Sequence, residues 1–153
     1  MADRLDDLVS AVKQHYEDQR IKDEAFLEEQ KLKKALGATF FKDVKAWLKS
    51  NGEKFNKKFG SEVFTVEDDL PNMAFNVRSQ PDTKHTWTAV VTYIPESHKI
   101  EINRSPGGPT AYSLALVPQE NRIVALYGNN TGVENGFNAE LLGENIMRMM
   151  FLP

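Results

Sequence analysis

The chain has no cysteine among its 153 residues. That removes disulfides, thiolate nucleophiles, zinc–thiolate sites and iron–sulfur clusters together. Histidine is scarce as well, with three residues, and long apolar runs are absent. Runs such as Met149-Met150-Phe151-Leu152 fall far short of the roughly 20 residues that span a bilayer. No transmembrane segment is therefore expected. The start, Met-Ala-Asp-Arg-Leu-Asp-Asp, is acidic and lacks the basic and apolar regions of a secretory signal. These features predict a cytoplasmic location.

What is present suits one folded α+β domain over 1–153. Hydrophobic residues make up 41% and charged residues 27%, and no disulfide or metal is needed to hold a chain of this size together. Net charge is −3, unevenly spread. Residues 1–30 carry nine acids and four bases, net −5. Residues 31–60 carry nine lysines against Asp43 and Glu53, net +7. Segregation of this kind can mark a surface for an oppositely charged partner.

Residues 1–36 read as a long charged helix. From Asp3 to Leu36 there is neither glycine nor proline, and good helix formers dominate. Asp3 suits the N-cap, Asp6 and Asp7 the first turn, and Lys31, Lys33 and Lys34 the last. Gly37 stands where a C-terminal glycine stops a helix. At 1.5 Å per residue such a helix is about 50 Å long, more than a domain of this size is wide. Leu5, Leu8, Val9, Val12 and Tyr16 lie on one face, and Phe26, Leu27, Leu32 and Leu36 form a later cluster. Between Glu17 and Glu24 only Ile21 is apolar, so a long coiled coil is not predicted.

Residues 37–60 read as a second, basic amphipathic segment. Thr39 can cap it and Asn51-Gly52 can end it. Phe40, Phe41, Val44, Trp47 and Leu48 form its core face, opposite Lys42, Lys45 and Lys49. Phe55 and Phe59 are expected to plug the core from a short following segment. A return of the acidic first helix onto these lysines, through a hairpin at Gly37, is a further expectation.

From Glu62 the periodicity changes to that of strands. Six are predicted: 62–67, 72–79, 84–94, 98–103, 110–117 and 122–128, within a sheet region spanning 61–128. Turn-rich segments separate them at Asp68-Asp69, Gln80-Pro81-Asp82, Pro95-Glu96-Ser97, 105–109 and 118–121. Short connections imply an antiparallel meander. Trp87, Ala89, Val91 and Tyr93 share one face, matched by Met73, Phe75 and Val77 and by Tyr112, Leu114 and Leu116. The opposite face is rich in threonine. After a loop at 128–132, a C-terminal helix over 137–152, capped by Asn138, presents Leu142, Ile146, Met149 and Met150 to the sheet.

No catalytic pattern occurs. Of the three histidines, His15 lies on the first helix, and His85 and His98 fall about 30 Å apart in the expected hairpin and cannot share a metal there; no H-E-x-x-H, nucleophile elbow, P-loop or dinucleotide motif is present. Glu140 and Glu144 are one turn apart, but Glu140 sits where acids favour the helix dipole. No cofactor is expected.

Three function classes remain. The first is a non-catalytic module for a protein partner or self-association, most simply as a dimer, using Leu5, Leu8, Val12, Tyr16 and Phe26. The second is a carrier of a small apolar ligand in a cavity between sheet and helices, lined by Phe75, Trp87, Tyr93, Tyr112 and Tyr127, with Met73 beside them. The third and weakest is anionic-polymer binding through the 42–58 lysine segment, with Lys42, Lys45 and Lys49 at its centre. The segment lacks arginine, and its aromatics point to the core, so nucleic acid is not expected as a partner.

Overall fold

A computed structural model describes residues 3–68, 73–117, 119–128 and 132–152. The expected turn residues Asp69 and Pro118, and positions 129–131 of the last loop, lie outside that set. The chain divides into two compact units, one ending at Leu32 and the other beginning at Lys33. None of the described helices is long and apolar enough to cross a membrane.

One helix, α1 (Arg4–Phe59), replaces the two expected. The residues that read as stop signals do other work. Gly37 is buried within the helix, where an added Cβ would lie 2.5 Å from the Tyr93 hydroxyl. Gly52 likewise admits the Phe64 ring, at 2.7 Å from such a Cβ. Both glycines allow close approach, which offsets a helix-propensity cost of about 1 kcal/mol each. Thr39 does not cap: its Oγ1 donates to the Ala35 carbonyl one turn back, at 3.2 Å. Asn51 Nδ2 does the same to Trp47, at 3.0 Å. With α1 continuous through Gly37, no hairpin forms there. The helix ends at Gly60, whose φ of +98° suits glycine and whose amide donates to the Asn56 carbonyl at 2.9 Å.

In the unit beginning at Lys33, six strands form one open antiparallel sheet in chain order, as the spacing predicts. They are β1 (Phe64–Glu67), β2 (Ala74–Ser79), β3 (Trp87–Ile94), β4 (Lys99–Ser105), β5 (Pro109–Val117) and β6 (Arg122–Tyr127). Phe75 pairs with Val91 and Val91 with Ile102, while Tyr93, Ile100 and Tyr112 form a second apolar row. These rows pack against Phe40, Phe41, Val44 and Leu48 of α1. The opposite face exposes Arg78, Thr88, Asn103 and Ser113. Met73, expected in the apolar row, lies just outside β2 and is 49% exposed. Phe59, expected to plug the core, is also exposed, whereas Phe55 stacks on Phe151 at 4.8 Å.

The second helix, α2 (Ala139–Phe151), buries Leu142, Ile146 and Met150. Asn138 caps it, accepting from the Leu141 amide at 2.8 Å. Its far end is held by Arg104 Nη1, which donates to the Met149 carbonyl at 2.7 Å, and by the buried Ser79 hydroxyl, which donates to Met150 at 2.5 Å. A cation and a donor at that end satisfy carbonyls left open by the last turn.

Candidate functional site

Each edge strand of the sheet has one residue paired from outside the sheet. On β1 the alternation of ladder bonds turns the backbone of Phe64 away from β2. The Asn56 carboxamide meets it there, accepting from the Phe64 amide at 2.9 Å and donating to its carbonyl at 2.8 Å. The same oxygen accepts from Val63. At the other edge, Phe137 exchanges two backbone hydrogen bonds with Ala125 of β6, at 2.8 and 2.9 Å. An open sheet edge is a template for strand addition, and these contacts occupy the first residue of β1 and the middle of β6.

The aromatics expected to line a ligand cavity are dispersed. Phe75 and Tyr112 are fully buried, and Tyr93 nearly so. Phe75 and Tyr93 each meet the Phe41 ring, at 5.3 and 5.8 Å, and Tyr112 meets Phe137 at 5.8 Å. Burial, with a smaller contribution from Tyr127, raises the Tyr112 pKa against the opposing effect of a 2.6 Å bond from Asn145. Trp87 is half-buried and stacked on His85, while Tyr127 is 57% exposed at the edge of the sheet. These contacts describe side chains packed on one another. Of the five, Tyr93 lines a surface groove of about 460 Å³, with Ala38, Phe41, Lys42, Lys45, Asp68 and Met73.

The lysine trio is largely committed. Lys45 and Lys49 each place Nζ 3.0 Å from a different oxygen of Asp68. The hydrogen bonds from Lys49 and then Lys45 hold the Asp68 carboxyl below its usual range. Lys42 is exposed at the rim of the groove. The sequence carries no hint of Asp68 as their partner, because it lies on the far side of the Phe59–Phe64 connection.

The histidines stay apart in role. His15 packs edge-on to Tyr16, and His85 Nδ1 bonds to the Asp82 carboxylate at 2.8 Å. That bond is the main reason the Asp82 pKa is lowered. Burial, aided by Lys33 and Lys34, lowers the pKa of His98. Among the described residues, no group of three or more histidine, aspartate or glutamate side chains is placed to hold a metal ion.

The first unit carries a different kind of surface. Leu5, Leu8, Val9, Val12, Tyr16, Phe26 and Leu27 are all exposed, Leu5 by 62%, Tyr16 by 68% and Phe26 by 60%. At 3.6 residues per turn, the first five occupy a sector of about 100°. Gln19 and Asp23 interrupt the same sector, joined to each other at 3.0 Å. Polar residues stabilise this helix locally: Arg20 bridges Glu17 and Glu24, and Gln14 bonds Asp18.

Comparison with known proteins gives no match: no family model, no curated protein and no solved structure is significantly similar to the chain.

Proposed function

We propose that this protein is a non-catalytic interaction module whose contact element is the apolar stripe of the first helical unit. The observation carrying this reading is the exposure of Leu5, Leu8, Val9, Val12 and Tyr16 on one helical sector. A scattered exposed leucine is ordinary, but five large apolar side chains aligned along about three turns gain by being covered. A helix held by local polar pairs also owes much of its persistence to such a contact. The contacts on Phe64 and Ala125 leave the sheet edges less suited to strand addition.

Amide hydrogen exchange tests the reading. In the full chain, exchange across Leu5–Tyr16 should slow when the contact forms. A Leu8→Gln/Val12→Gln variant should lose that protection while keeping the exchange pattern of the sheet. Equal exchange in the two proteins under every condition contradicts the reading.

A second reading, a carrier of a small amphiphile, draws support from the groove beside Tyr93. It joins an apolar floor of Phe41 and Met73 to the Lys42 ammonium. A rise in melting temperature with added fatty acid, lost on Lys42→Glu, would support it.

A further inference from the structure

We infer that the occupant of the stripe is a second copy of the same stripe, running antiparallel. The inference rests on the contact-element reading above and adds partner, direction and register. Leu5, Val9, Val12 and Tyr16 alternate at intervals of four, three and four residues, the spacing of a short two-helix seam. Antiparallel pairing about a two-fold axis near Ser10 and Ala11 sets Leu5 against Tyr16 of the second copy and Val9 against Val12. Each contact then occurs twice, as an isologous interface requires.

Charge selects this arrangement. Asp6 and Lys13 lie on one flank of the stripe, seven residues apart. Neither makes an ion pair among the described residues, although Arg20 and Lys31 on the same helix are paired within the chain. In the antiparallel register Asp6 of each copy faces Lys13 of the other. A parallel, in-register pair would instead bring Asp23 against Asp23 at a seam position, two like charges stripped of water. The antiparallel pair ends before Asp23 and leaves it in solvent. Four layers make a small interface, so association depends on concentration.

The absence of cysteine permits a direct test in the full chain. Leu5→Cys and Tyr16→Cys proteins, mixed and mildly oxidised, should form a mixed disulfide dimer. Leu5→Cys alone should not cross-link, because its two thiols would lie about 16 Å apart along the axis. Separately, Lys13→Glu should weaken dimerisation about tenfold, measured by sedimentation. Adding Asp6→Lys to it should restore dimerisation to within about twofold, an exchange that a merely structural role would not reproduce. Cross-linking of Leu5→Cys with itself, or failure of the charge exchange to rescue, overturns the antiparallel register. A parent chain that remains monomeric at every concentration overturns the second-copy proposal. It does not touch the contact-element reading, which fails only if stripe variants exchange and associate like the parent with any protein.

Discussion

Asn56 and Phe64 form a strand-like pair without a strand: one carboxamide makes both hydrogen bonds that a neighbouring backbone would make to Phe64. This ties the last turns of α1 to the edge of the sheet and occupies the backbone groups of Phe64 that would otherwise accept extended chain. Phe64 is buried, so neither of its backbone groups has water to fall back on.

Replacing Asn56 with Ala should therefore cost about 1–3 kcal/mol in urea unfolding. Asn56→Asp should cost at least as much, because a carboxylate cannot donate to the Phe64 carbonyl. Amide exchange at Phe64 should accelerate in both. An Ala variant as stable as the parent would show that the edge is not held this way.

Gly37 offers a test in which helix propensity and packing oppose each other. Propensity alone predicts that Gly37→Ala stabilises α1 by about 1 kcal/mol. The Tyr93 hydroxyl, 2.5 Å from the new Cβ, predicts the reverse, a loss of about 1–3 kcal/mol. Tyr93→Phe removes the nearest atom and should recover part of that loss in a double-mutant cycle, read by thermal unfolding. Stabilisation by Gly37→Ala in the parent background would contradict the close approach.

Asp68 supplies a pH dependence of fixed sign. Its two lysine partners lower its pKa in the folded chain, so its contribution is present above the unfolded carboxylate value, about 3.9, and is lost as pH falls through the lower folded value. Asp68→Asn should melt slightly below the parent at neutral pH, and the gap should close in acid. The pair is solvent-exposed and should also weaken in high salt. A gap that widens on acidification would contradict the assignment.

Much of this architecture is legible in the sequence, for particular reasons. The six strands show because runs such as Trp87, Ala89, Val91 and Tyr93, interleaved with Thr88, Val90 and Thr92, have the period of a strand, and because turn residues separate each run. Asn138 is legible as a cap because its partner amide, Leu141, is three residues away. Gly37, Thr39, Asn51 and Gly52 mislead because their types are the same whether they stop a helix or fit within one. Only the distant rings of Tyr93 and Phe64 decide between those roles. Asp68 escapes notice for the same reason, its lysines being remote in sequence. Tyr127 follows the apolar alternation of its strand yet stays exposed, because alternation assigns a face and not its depth. The Leu5–Tyr16 stripe, by contrast, is local and visible from spacing alone. Its exposure is not, because the same spacing also marks a helix face packed within its own chain.

The most direct test of the central claim is native mass spectrometry of the full chain and of its Leu8→Gln/Val12→Gln variant across a range of concentrations. The parent should shift from monomer to a protein assembly as concentration rises, while the variant stays monomeric with unchanged helix content. A variant that assembles as readily as an assembling parent would contradict the claim that the stripe of the first helix is the contact element, whereas a parent that stays monomeric throughout would overturn the second-copy proposal alone.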